Sequence, residues 1–181
     1  MSPQLALLLA LLAAAPGAGA DSATKPTPAA ALPRCDTPAH RAFDFWIGEW
    51  EVWANDALAG SNRIEPLLGG CALSEHWRGA SGLEGRSYNA WDAASGRWRQ
   101  FWVASQGNVL MLEGGMRDGA MVLEGVRPHP KSGAPQRQRI AWTRHDDGSV
   151  RQLWETSDDA GATWQVAFDG RYRRAAPDAS R

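Results

Sequence analysis

Net charge is almost absent: the 181 residues sum to −1 at neutral pH. A surface that recruits nucleic acid or anionic lipid needs clustered lysine and arginine, so neither partner is expected. Long apolar runs are also missing. The best one, Leu5 to Ala15, falls short of the roughly 20 residues that a bilayer crossing requires, which argues against stable membrane insertion. Histidine occurs only at His40, His76, His129 and His145, without ligand spacing to a cysteine, so no metal site is expected. The chain has no glycine-rich phosphate loop, Ser-His-Asp order or paired-carboxylate signature, and nothing implies a cofactor. What it does have is tryptophan, ten in all.

Only two cysteines are present, Cys35 and Cys71. Residues 1–20 read as a secretory signal peptide: a short apolar core, a break at Pro16-Gly17, and the small-x-small pattern Ala18-Gly19-Ala20 before Asp21. The segment before that core has no lysine or arginine, so an uncleaved anchor is the alternative. Lipidation at Cys35 is disfavoured because Arg34 stands where a small residue is needed. Export to the periplasm or medium follows, and an even cysteine count in an oxidising compartment favours a Cys35–Cys71 disulfide over two free thiols. Residues 21–34 are an Ala/Pro-rich linker with nothing to bury.

From residue 35 to 174 the pattern is that of one all-β domain, followed by a flexible tail, 175–181. Asp36 or Thr37 caps a short helix with Pro38 at its first position, running to about Phe45. Strand-like segments then alternate with turn clusters at 55–60, 69–70, 79–82, 92–96 and 105–108. Asp118-Gly119 and Asp147-Gly148 are tight-hairpin dipeptides, and Arg127 to Pro135 reads as the one longer loop. Short turns with no intervening helix mean antiparallel connections, and about ten strands favour an up-and-down barrel over open edges.

Three motifs bear on function. Ser157 to Trp164 matches an Asp-box, Ser-x-Asp-x-Gly-x-Thr-Trp, in which Asp159 accepts turn amides and Gly161 takes positive φ. A single copy without an arginine triad argues for a turn-stabilising device rather than a glycosidase. Arg97 to Trp102 interleaves cations with aromatics as single-strand nucleic-acid platforms do, yet a stacked barrel strand suits a near-neutral exported chain better. In Leu73 to Arg78, alternation puts Leu73, Glu75 and Trp77 on one face and Ser74, His76 and Arg78 on the other. Glu75 then points inward among apolar side chains, where a lone carboxylate is costly unless paired or protonated. Its partner is either an inward Arg86, Tyr88 or Arg151, or a ligand.

Phe43 to Val52, Gly69 to Trp77, Tyr88 to Asp92 with Gly96 to Trp98, and Trp154-Glu155 to Tyr172-Arg173 resemble a family of exported bacterial proteins without an assigned function. The resemblance spans about Cys35 to Arg174 and implies a lipocalin-like barrel of about ten strands. Gly48-Glu49-Trp50 is also similar to the opening of nitrobindin-like and fatty-acid-binding-like barrels. The nitrobindin-like resemblance implies haem on a histidine near the C-terminal end, but no histidine follows His145 here, so haem is not expected.

The leading expectation is a monomeric, exported barrel that binds a small apolar or aromatic molecule. Trp50, Ile64, Trp77, Trp102, Trp142 and Trp154 are its candidate wall residues. Asn62, Glu75 and Tyr88 are its candidate polar anchors. One rival is an enzyme on the same barrel, with Glu75 as general acid or base on a small carbonyl or aromatic substrate. The other is a filled barrel without ligand, acting through its outer surface.

Overall fold

The computed structural model describes residues 35–176. The expected leader and linker lie outside the described residues, as do 177–181 of the expected tail. Thr37 caps helix α1 (Pro38–Arg41), its hydroxyl accepting the His40 N–H, and a single 3-10 turn follows at Asp44–Trp46. Ten strands come next: β1 (Gly48–Ala54), β2 (Ala57–Leu67), β3 (Ala72–Gly79), β4 (Glu84–Asp92) and β5 (Arg97–Ala104) form the first half. β6 (Val109–Arg117), β7 (Ala120–Pro128), β8 (Pro135–Arg144), β9 (Val150–Ser157) and β10 (Gln165–Arg174) form the second. Each strand pairs antiparallel with its chain neighbours, and β1 closes on β10 through pairs such as Trp50 with Arg174. The fold is a closed up-and-down barrel, which leaves no free sheet edge.

Two turns are tighter than the sequence pattern suggests. Only Asn55 and Asp56 separate β1 from β2, both in the left-handed region that these side chains tolerate. The longer loop shrinks to 129–134, so Arg127 belongs to the end of β7.

One end of the barrel is plugged by the segment that precedes it. Phe43 and Trp46 are fully buried and stack on each other, their ring centroids 4.9 Å apart. Phe43 also meets Trp98 and Trp142 edge-on, and Trp46 reaches Trp142 and Tyr172. Hydrogen bonds lock the plug: the Trp50 indole donates to the Trp46 carbonyl at 2.8 Å and the Trp98 indole to the Ala39 carbonyl at 3.0 Å. Large rings suit this position because a ten-stranded interior is too wide for aliphatic side chains to fill. Gly48 permits the closure. Its φ is +143°, and a Cβ there would lie 1.7 Å from the guanidinium of Arg174, which caps Trp50 at 3.9 Å. A Cys35–Cys71 disulfide ties the plug's leading end to the start of β3.

At the other end the Asp-box hairpin joins β9 to β10. Asp159 accepts the Thr163 amide and hydroxyl and the Ser157 hydroxyl, at 2.6–2.8 Å, and Trp164 folds back to donate to the Gly161 carbonyl. These hydrogen bonds hold its carboxyl well below the ordinary range, those from Thr163 most strongly. A group lowered in this way stabilises the fold above about pH 4 and loses that effect as the pH falls further. Asp159→Ala should therefore lower the melting temperature by a few degrees at pH 7 and progressively less below pH 4, a trend that calorimetry reads directly. Ligand binding should survive; an unchanged melting temperature with lost binding would refute a structural role for the hairpin.

Candidate functional site

The plug occupies one half of the barrel and leaves a cavity of about 450 Å³ in the other. That volume lies within the range of small-molecule sites. Trp142 is shared between the two halves: it packs on the plug and forms part of the cavity floor. Trp77, Trp102, Trp154 and Phe168 make the walls. Two local features admit these rings. A Cβ on Gly85 would sit 2.1 Å from the Trp102 ring, so glycine lets that indole lie against β4. A register shift between Val166 and Phe168 in β10 brings Ala167 and Phe168 both to the cavity.

Glu75 lies at the floor, 6% exposed, held entirely by neutral donors. Asn62 Nδ2 donates to one carboxylate oxygen at 2.8 Å, and Ser87 Oγ donates to the other at 2.6 Å. The network extends both ways. Gln100 donates to Asn89 at 2.9 Å, and Asn89 donates to Ser87 at 2.9 Å. On the far side the Asn62 amide also reaches the Tyr172 hydroxyl at 3.2 Å, and that hydroxyl donates to Gln152 Oε1. Burial raises the Glu75 carboxyl to about 7, with the Ser87 and Asn62 hydrogen bonds opposing the shift. Burial, then the neighbouring Glu75 charge, pushes the Tyr172 phenol well above its usual range, so it remains a neutral donor. The floor thus presents a carboxyl that gains or loses a proton near neutrality, beside a neutral phenol and two amides. Such a group is suited to hydrogen bonding or to proton transfer.

Of the expected site residues, Glu75, Trp77, Trp102, Trp142 and Trp154 come together around the cavity. Asn62 stands one layer behind, orienting Glu75. Trp50 and Ile64 face inward as expected but do not line the cavity; Trp50 packs on Tyr172 and the plug backbone, and Ile64 is buried in the core. Tyr88 is a correction: it lies on the outer face, 63% exposed, opposite Phe101. In β4 the inward row is Gly85, Ser87 and Asn89, because the interior here needs polar partners for Glu75 and room for Trp102. The expected cationic partners are corrected by the same alternation. Arg86 is drawn to His76 outside, and Arg151 pairs with Asp169. His76 also faces out, in contact with Glu84. Among the described residues no cluster of three or more His, Cys, Asp or Glu is placed to hold a metal ion.

Tyr172, Gln152, Gln100, Arg127 and Phe168 complete the site without having been anticipated. One signal was available for part of it. Pairing β3 with β4 across the turn near Gly82 sets Glu75 opposite Ser87, making the Gly85-Ser87-Asn89 row its natural neighbour. The chain matches no protein-family model, and no curated protein shows significant similarity to it.

Proposed function

We propose that this is an exported, lipocalin-like barrel that binds a small, largely apolar or aromatic molecule in its interior. The observation that carries the reading is the cavity itself: aromatic walls around a short set of converging polar groups, above a floor sealed by the plug. A barrel built only for stability gains by filling such a space, since unfilled volume forfeits packing. Export is supported by the leader-like first 20 residues, and the disulfide is consistent with it. A monomer suits a sheet that closes on itself. Native mass spectrometry of the protein purified from the periplasm tests the reading. A small organic compound should copurify and be absent from a variant with the cavity filled, such as Leu110→Trp. No copurifying compound, together with unchanged tryptophan fluorescence across a panel of apolar and aromatic probes, would overturn it.

A second reading draws on the Glu75 carboxyl near 7 beside Tyr172. In it Glu75 acts as general acid or base on a small carbonyl or aromatic substrate, with Tyr172 and Gln152 available to orient the substrate. Turnover of a bound compound that disappears in Glu75→Gln while binding persists would favour this reading over simple carriage.

A further inference from the structure

Among the described residues the cavity is lined by two charged side chains, Glu75 and Arg127. They sit at opposite ends. Glu75 is in mid-strand of β3 at the floor, and Arg127 is next to last in β7, at the open end with Leu83, Asn108 and Val109. Arg127 follows Met121, Leu123 and Gly125 on the inward row of its strand. Its guanidinium carbon lies 5.5 Å from the ring centroid of Trp154, and its Nε is buried without a hydrogen-bond partner. No ion pair is formed by Arg127 among the described residues. On the outer surface Arg97, Arg99, Arg117, Arg139, Arg151 and Arg171 each reach a carboxylate, and among the described residues no other arginine nitrogen is both buried and without a hydrogen-bond partner. Asp158, near the same rim, is engaged instead by the Gln136 amide at 2.9 Å.

The Trp154 ring against which Arg127 rests is itself fixed. Its indole donates to Gln138 at 3.0 Å, and Gln138 donates to Gln136 at 2.8 Å. The cation is therefore positioned over a held aromatic surface, turned toward the cavity and lacking an anion. At the other end, the carboxyl of Glu75 repels a second negative charge whenever it is ionised, and among the described residues no cation pairs with it. The two ends select opposite chemistry.

We infer that the ligand is an organic anion: an apolar or aromatic body lying between the tryptophans, with one carboxylate or similar acidic group at the mouth on Arg127. Its inner end carries a neutral hydrogen-bonding group facing Glu75, Gln152 and Tyr172. This inference rests on the small-ligand reading above and adds the sign of the ligand's charge and its orientation.

Calorimetric titration of the purified full-length protein with two matched pairs tests it: 2-naphthoate against 2-naphthamide, and decanoate against 1-decanol. In wild type at least one anion should bind more tightly than its neutral partner, with an affinity that falls as salt rises. Arg127→Gln should weaken that anion about tenfold, as expected for losing a charge-assisted contact at a partly exposed site, and leave the neutral partner unchanged. Arg127→Lys should recover part of the loss. Equal affinities within both pairs, or equal weakening of both members by Arg127→Gln, would overturn the inference while sparing the small-ligand reading. Failure of all four compounds to bind would overturn the inference and weigh against that reading as well. Melting curves of both variants verify that each folds.

Discussion

Removing the disulfide should destabilise the barrel by about 4 kcal/mol, the entropy that a bridge across 36 residues removes from the unfolded chain. For a domain of this size the melting temperature should fall on the order of 10 °C. The effect should also have a location. Cys35 holds the start of the plug and Cys71 the start of β3, so opening the bond frees the chain that places Phe43 and Trp46 under the floor. Cys35→Ser and Cys71→Ser, singly and together, should give the same loss, and reductant should reproduce it in wild type. The plug rings abut Trp142, so tryptophan emission should shift together with the loss of stability. A melting temperature that ignores reductant, or two free thiols in the unfolded, unreduced protein, would rule out the bridge.

The second large effect belongs to Glu75. Its carboxyl is raised from an ordinary 4.5 to about 7, so the folded state holds a proton that the unfolded chain has released. Stability must then decline as the pH climbs from about 4.5 to 7 and level off above, by about 3 kcal/mol in all. Glu75→Gln removes the charge and retains the shape. Its amide oxygen still accepts from Asn62, and its amide nitrogen can donate to Ser87 Oγ, whose hydroxyl rotates. The variant should match wild type near pH 4 and exceed it by up to about 3 kcal/mol at pH 8, flattening the pH dependence in between. Ligand affinity should fall, because the floor loses its ionisable acceptor. Denaturant unfolding at several pH values measures the first effect; parallel curves for the two proteins would show that Glu75 does not ionise within a buried site.

How far such features can be read before a structure depends on how local their causes are. Glu75 is legible because Leu73 and Trp77 share its face within six residues, and β alternation does the rest. The barrel is legible from short turns between strands of similar length. Tyr88 misleads for a physical reason. The working assumption that rings go inside fails in β4, where the interior demands Ser87 and Asn89, and the tyrosine packs outside opposite Phe101. Arg127 is hidden because Arg127 to Pro135 reads as one loop, whereas pairing with β8 carries the strand through Pro128. Tyr172 joins the Glu75 network, through Asn62, only because β10 closes onto β1, a pairing of the first and last strands that no local pattern announces. The short helix and the aromatic run after it are visible in sequence. That they seal one end, and so decide which half of the barrel remains open, follows only from the closed geometry.

Glu75 is a buried carboxyl at the floor of the barrel cavity. The most direct test follows its carboxyl carbon by NMR across a pH titration, with and without a neutral aromatic probe such as 2-naphthamide. A midpoint near 7 is expected in the free protein, displaced when the probe fills the space above it. A midpoint near 4.5, indifferent to the probe, would contradict it.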